Sequence, residues 1–284
     1  MTIDSHPPEN VTPRGRVLVF DSGIGGLTVA AEIAALGPQL AIDYAADTGF
    51  FPYGDKSDAA LRARLPLVAK ALVDIAKPDV FVIACNTAST LALNEVRAVL
   101  DIPVVGTVPA IKPAAALTKT GTIGLLATPG TIGRDYTAKL IADYASETRV
   151  ISHGSIELVK LAEAAARGET VPASEIEAAQ RPLFDAAGGE AIDIVVLACT
   201  HFPLIRDQLA AAAPRAVRYI DSGEAIARQT VRVLEETGGA SGAGSNVFLT
   251  DALERHTGLA SIFKRFGFSG VQAVPVPSAS TLAG

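Results

Sequence analysis

Cys85 and Cys199 are the only cysteines in the chain, and each closes an apolar run and opens a Thr-containing turn. Val80-Phe81-Val82-Ile83-Ala84 precedes Cys85-Asn86-Thr87, and Ile194-Val195-Val196-Leu197-Ala198 precedes Cys199-Thr200-His201. A single free cysteine at a strand end reads as a small buried hydrophobe. The same context met twice points instead to thiol chemistry. A strand running into a helix puts the sulfur near a helix N-terminus, where the anion is favoured, so lowered thiol pKa values are expected. Asn86, Thr87 and Thr200 add short hydrogen-bonding side chains, and the adjoining backbone N–H groups suit a carboxylate or an oxyanion. His201 either orients the second thiol and takes its proton or is a capping or surface histidine. A disulfide between the two sulfurs is the alternative to a pair of reactive thiols.

A second group of residues lies after the first apolar run. Asp21-Ser22-Gly23-Ile24-Gly25-Gly26-Leu27-Thr28 superficially matches the G-x-G-x-x-G dinucleotide loop, with Asp43 or Asp47 about 20 residues on. The third glycine position is Thr28, however, and a carboxylate that precedes the loop repels a pyrophosphate. The competing reading is a tight glycine turn that leaves Asp21 and Ser22 at a cleft, with Asp21 steering a substrate ammonium or a thiol proton. Pro52-Tyr53-Gly54 is a turn signature that can present backbone N–H groups and a hydroxyl to a ligand.

These groups need a scaffold. Apolar runs of the buried parallel kind place strands at 16–20, 40–45, 80–84, 103–106, 122–127, 149–152, 192–197 and 217–220. Helical spacing places helices at 26–36, 58–76, 88–100, 111–117, 133–145, 156–166, 174–187, 204–212 and 223–237. Strands alternating with helices imply an α/β protein with mainly parallel sheets, whose ligands sit at the carboxyl ends of strands. Two short echoes, 80–87 with 194–201 and 20–23 with 220–223, suggest two pseudosymmetric domains with the active site in the cleft between them. The expected division is a disordered lead-in over 1–15, a first α/β domain over 16–107 and 218–284, and a second over 108–217. The Gly-rich stretch 238–245 reads as a flexible loop and the tail after 274 as mobile.

Composition narrows the partners. The 284 residues are 49% hydrophobic, with 24 basic and 30 acidic side chains and a formal net charge of −6. No Lys/Arg run marks a nucleic-acid footprint. No apolar stretch approaches a membrane span or a signal peptide, so a cytoplasmic location with reduced thiols is expected. The four histidines are scattered without metal-ligand spacing.

Taken together, these segments resemble the glutamate racemase family within the aspartate/glutamate racemase superfamily. The resemblance rests on Phe20 through Val29, Pro52-Tyr53-Gly54, Ala84 through Ser89, Thr128-Pro129-Gly130-Thr131-Ile132, Ala198 through Leu204, and Asp221-Ser222-Gly223, in family order. It implies cofactor-independent racemisation of L-glutamate to D-glutamate for peptidoglycan, with neither pyridoxal phosphate nor metal. It implies Cys85 and Cys199 as the two catalytic groups, with Asp21 assisting beside Cys85 and His201 beside Cys199. It implies Ser22, Pro52, Tyr53, Gly54, Asn86, Thr87, Thr128, Thr131 and Thr200 around the substrate, together with Asp21 and His201. It also implies a homodimer and, for some members, an interaction with DNA gyrase. One segment departs from the pattern. The family carries a proline-containing stretch ending in an acid where this chain has Ile151 through Lys160, so the acid is Glu157, is shifted to Glu163, or is absent, and the place of His153 is open. The rival readings are racemisation of aspartate or another amino acid, a decarboxylase using one active cysteine, and a non-catalytic regulator that binds glutamate or a partner.

Overall fold

The computed structural model describes residues 15–239, 244–253 and 258–276. The expected lead-in apart from Gly15, the middle of the Gly-rich stretch and the end of the tail lie outside the described residues. Among the described residues ten strands run in chain order: β1 (Arg16–Asp21), β2 (Ala41–Ala46), β3 (Val80–Ile83), β4 (Val104–Gly106), β5 (Thr122–Ala127), β6 (Arg149–Gly154), β7 (Ile194–Ala198), β8 (Arg218–Ile220), β9 (Asn246–Leu249) and β10 (Gly270–Ala273). They form two sheets, β10-β9-β2-β1-β3-β4 and β6-β5-β7-β8. Every pairing is parallel. The central strands β3, β5 and β7 are buried along their whole length, which is why they read as continuous apolar runs rather than alternating ones.

The two halves share one strand order: β2-β1-β3-β4 in the first is matched by β6-β5-β7-β8 in the second. Cys85 follows β3 and Cys199 follows β7, so the first echo is a true structural equivalence. The second echo is not. Phe20-Asp21 ends β1, whereas Ile220 ends β8, the counterpart of β4. The boundary expected at 217/218 also moves, because β8 pairs with β7 as an edge of the second sheet. The chain returns to the first half only after Ile220, where Ser222 Oγ donates to the Val108 carbonyl at 2.5 Å. The two connections between halves therefore lie side by side.

Helices cover the sheets where their apolar stripes require it. Helix Asp58–Ala76 starts at Ser57, whose hydroxyl accepts the Ala60 N–H, and buries Leu61, Leu65, Val68, Ala69, Leu72 and Ala76 along one face. It stops at Lys77, in the left-handed region at φ 48°, just before Pro78. The helix expected over 133–145 is found as Asp135–Tyr144, and a separate short helix, Pro129–Ile132, precedes it, capped by Thr128, whose hydroxyl accepts the Thr131 N–H. No helix among the described residues is long and apolar enough to cross a membrane.

The main element missing from the sequence reading is the C-terminal extension of the first sheet. β9 pairs with β2, and β10 with β9. β9 follows the Gly-rich stretch, and β10 contains Gly270 and Gln272 and is only partly buried, so neither shows the continuous apolar run that marks the central strands. Yet Phe248 is buried in the same cluster as Phe20, Phe81 and Leu65. Phe248→Ala should therefore cost about 3–5 kcal/mol, read as a fall in the thermal midpoint. A loss under about 1 kcal/mol, typical of surface changes, would show that this strand does not share the core.

Candidate active site

Cys85 caps helix Asn86–Arg97 at the exit of β3. It is buried, with its Sγ 4.0 Å from Ser22 Oγ. Its pKa lies well above the ordinary thiol value. Burial is the first cause and the negative charge of Asp21 the second, opposed by the Ala88 N–H and by Ser22. The helix N-terminus does act in the expected direction, but desolvation outweighs it, so the expectation of a lowered value fails at Cys85. The charge of Cys199 also raises it, so the two sulfurs lie within each other's field. Both cysteines are free, which removes the disulfide alternative.

Cys199 Sγ lies 3.9 Å from His201 Nδ1. The other ring nitrogen, Nε2, is 2.9 Å from Glu163 Oε1. His201 is buried, and burial alone would discharge it, yet its pKa is raised well above normal by Cys199, Glu163 and Asp21. Glu163 is driven up by burial but ends below its ordinary value, held there by His201, the Ile24 N–H and Arg167. The pair is thus an imidazolium beside a carboxylate. Of the two acids considered for the 151–163 segment, Glu163 is the one that meets His201. Glu157 is exposed and pairs with Lys160, and His153 contacts the Ala179 carbonyl at 3.0 Å, away from the sulfurs. A signal for Glu163 was available: it falls on the buried stripe Leu158, Val159, Ala162 of helix Glu157–Ala166, where an unpaired carboxylate is not tolerated.

Asp21 ends β1 and is wholly buried. Its Oδ2 accepts the Gly26 N–H at 2.9 Å, at the start of helix Leu27–Leu36, and the Thr200 hydroxyl reaches both oxygens at 3.3 Å. The carboxylate thus fills the anion position that a pyrophosphate would need, so the loop is not a dinucleotide site. It does not stand on the cavity wall either, and it acts on Cys85 and His201 through charge. The glycines answer a different demand from the turn expected of them. A Cβ on Gly25 would lie 2.7 Å from the His201 backbone nitrogen, and one on Gly23 2.6 Å from Glu163 Oε1. They let the first half close directly onto the His201–Glu163 pair.

The sulfurs face one cavity, bounded by Ser22, Asn86 and Thr87 on one side and by Thr128, Thr200 and His201 on the other. Pro52, Tyr53 and Gly54 complete it with Val159, a residue given no role in the sequence reading. Its free volume is about 10 Å³, room for about one water, so a substrate enters only when the halves separate. Thr131 is one layer back, its hydroxyl bonded to those of Thr87 and Thr128. The Asn86 Oδ1 atom is buried with no partner, an orphan acceptor on the cavity wall. The Tyr53 hydroxyl, expected to face the ligand, donates instead to Asp47 Oδ2 at 2.6 Å. Asp47 also takes both arms of Arg64 and the hydroxyl of Thr250. The turn over Pro52–Gly54 is therefore anchored to the C-terminal extension. Nothing local in the sequence marks this link, since Asp47 and Thr250 lie at opposite ends of the chain.

The comparisons with known proteins agree in kind. A protein-family model described as Asp/Glu/Hydantoin racemase matches residues 28–230. The glutamate racemase of Sphingopyxis alaskensis is 50% identical over 230 residues, 81% of this chain and 85% of the relative. That of Escherichia coli O157:H7 is 44% identical, covering 93% of each. Among solved structures, Escherichia coli glutamate racemase superposes with a TM-score of 0.87 at 43% identity, over 93% of this chain and all of the other. The RacE1 isoform from Bacillus anthracis gives 0.77 at 28% identity, over 92% and 98%.

The Glu163–His201 pair has a pH signature. Glu163's share of stability is complete above the ordinary carboxylate range and is lost as pH falls through its lowered pKa. His201's share is complete below the ordinary imidazole value and is lost as pH rises through its raised pKa. The full contribution therefore spans about pH 4.5 to 6.5. Glu163→Gln should cost about 2 kcal/mol in that window, and the difference from the parent should shrink on either side. Thermal midpoints measured across pH check this; a pH-independent difference would contradict it.

Proposed function

The chain belongs to the Asp/Glu racemase family and stands among its glutamate racemases, and from that premise we propose that Cys85 and Cys199 interconvert L- and D-glutamate by a two-base proton transfer without a cofactor. The observation that carries this reading is the pair of free thiols at equivalent strand ends, β3 and β7, facing one cavity. Racemisation requires a proton removed from one face of the α-carbon and another delivered to the opposite face. Two groups on opposing walls meet that demand without either having to move across the substrate. Burial and Asp21 keep Cys85 as the thiol, ready to donate. The His201 imidazolium beside Cys199 supplies the counter-charge that a thiolate there requires. With the opposite hand of substrate the roles exchange.

The remaining lining residues bind glutamate. The orphan Asn86 Oδ1 suits the substrate ammonium, and hydroxyls from Thr87, Thr128, Thr200 and Ser22 suit its carboxylates. Cleft closure strips water from the reacting centre. The rival with a single active cysteine, a decarboxylase, leaves the second thiol and the His201–Glu163 pair without a task. The rival racemases differ only in side-chain preference; glutamate is favoured because the Escherichia coli relative was crystallised with L-glutamate. The product would feed peptidoglycan in the cytoplasm, and the enzyme would act as a homodimer, as the family resemblance implies.

That relative also holds an activator, UDP-MurNAc-Ala. A cavity of about 720 Å³ next to the Asp221–Ser222 crossing is lined by four basic residues and by Glu32, Asp221 and Glu224. Arg206 pairs with Asp221 and Arg228 with Glu224, so Lys112 and Arg218 are the cations best placed to meet a nucleotide diphosphate. We read it as the corresponding regulatory site. UDP-MurNAc-Ala should raise the turnover of this enzyme, and Arg218→Ala should abolish the response while leaving basal activity.

Circular dichroism of L- and D-glutamate, with aspartate in parallel, tests the activity. Cys85→Ala and Cys199→Ala should each lower racemisation by at least about 10³-fold. In D₂O each product molecule should carry deuterium at the α-carbon. A fully active single mutant, or product that keeps its original hydrogen, would refute the two-thiol scheme.

A further inference from the structure

Glu163 divides its two oxygens. Oε1 lies 2.9 Å from His201 Nε2 and also accepts the Ile24 N–H at 3.1 Å. Oε2 accepts from the Arg167 guanidinium at 3.2 Å. Arg167 follows the last turn of the same helix, and its Nε donates to Glu169 at 2.8 Å. It opens onto a separate cavity of about 260 Å³, shared with Glu163, Phe51 and Leu259. Glu163 thus stands on the wall of this side cavity, while His201 stands on the wall of the one that holds the sulfurs.

Resting on the racemase reading above, we infer that Arg167 is a positioning residue for the Cys199 half of the reaction. By holding Oε2 it keeps Oε1 on His201, and so fixes the imidazole that stands 3.9 Å from Cys199. Other charged and titratable groups face this chain too. Asp21 acts on His201 from the β1 loop. Tyr44, on β2, feels the charge of Glu163. Arg265 donates to the Ala166 carbonyl beside Arg167. None of these contacts Glu163 Oε2, so the restraint on that oxygen falls to Arg167. Among the described residues no comparable chain reaches Cys85: it is met by Ser22, the Ala88 N–H and the charges of Asp21 and Cys199. The effect of Arg167 should therefore be confined to one of the two proton transfers.

The test is the α-deuterium isotope effect on kcat/KM, measured from each hand of glutamate in Arg167→Gln. The two hands have equal free energy, so kcat/KM must fall equally in both directions, by about threefold for a half-exposed ion pair. If only the Cys199 transfer is slowed, the isotope effect rises for the hand whose proton Cys199 removes and falls for the other. A general loosening of the fold moves both the same way. Arg167→Lys keeps the charge but not the planar fork and should fall between parent and Gln variant, which covers the case of a poorly folded Gln protein. Isotope effects that move together, or remain at parental values in both variants, would overturn the inference. A parent enzyme unable to racemise glutamate would instead overturn the functional reading on which it rests.

Discussion

A buried carboxylate helps to join the two halves of this protein at the point where chemistry is to be done. Glu163, from the second half, accepts the backbone N–H of Ile24 from the first and at the same time faces His201. A carboxylate with about nine-tenths of its surface removed from water is costly unless its lone pairs are met. Here they are met by His201 and Arg167 of its own half and by Ile24 of the other, and the last contact exists only when the cleft is closed. The Asp21 charge on His201 likewise comes from the first half and is complete only on closure, whereas the Glu163–His201–Cys199 contacts lie within the second half.

The same logic explains the glycine loop after β1. Close approach, rather than unusual backbone dihedrals, is what Gly23 and Gly25 provide: any side chain there would strike Glu163 or His201. Asp21 works from the opposite side. It holds the start of helix Leu27–Leu36 and receives the Thr200 hydroxyl across the cleft, while its charge raises the pKa of both Cys85 and His201. The two thiols are thus placed symmetrically by the fold and polarised differently by their neighbours. One is kept neutral by burial beside an anion, and the other stands next to a cation. A reaction that needs one acid and one base at a time is well served by such a difference.

Closure also leaves almost no free space at the sulfurs. Substrate entry must separate the halves, which remain joined through adjacent crossings after β4 and β8, bridged by the Ser222–Val108 bond. Several cross-cleft bonds must open and re-form, among them Arg134 to the Thr87 carbonyl and Thr90 hydroxyl. Those from Arg134, which also pairs with Asp58, are charge-assisted and stronger than neutral ones, but water takes their place on opening, which keeps their net worth to a few kcal/mol. The closed state can therefore be favoured without being locked.

Much was legible in the sequence because it is written locally. Parallel strands buried on both faces leave unbroken apolar runs, and a thiol at the end of two such runs is visible without any fold. So are the glycine loop, the Thr128–Thr131 turn and the α/β alternation. What needed tertiary structure was every fact that joins distant segments. Glu163 was one of two acids in an atypical stretch until its contact with His201 singled it out. Thr250 and β9 carried no sign that they brace the Tyr53 turn through Asp47. The direction of the Cys85 pKa was misjudged, since the helix N-terminus can be read from sequence but burial and the nearness of Asp21 cannot. Residue type and spacing decide which groups are available for chemistry; the surroundings that set their charge are assembled by chain segments far apart in sequence, and only packing brings those together.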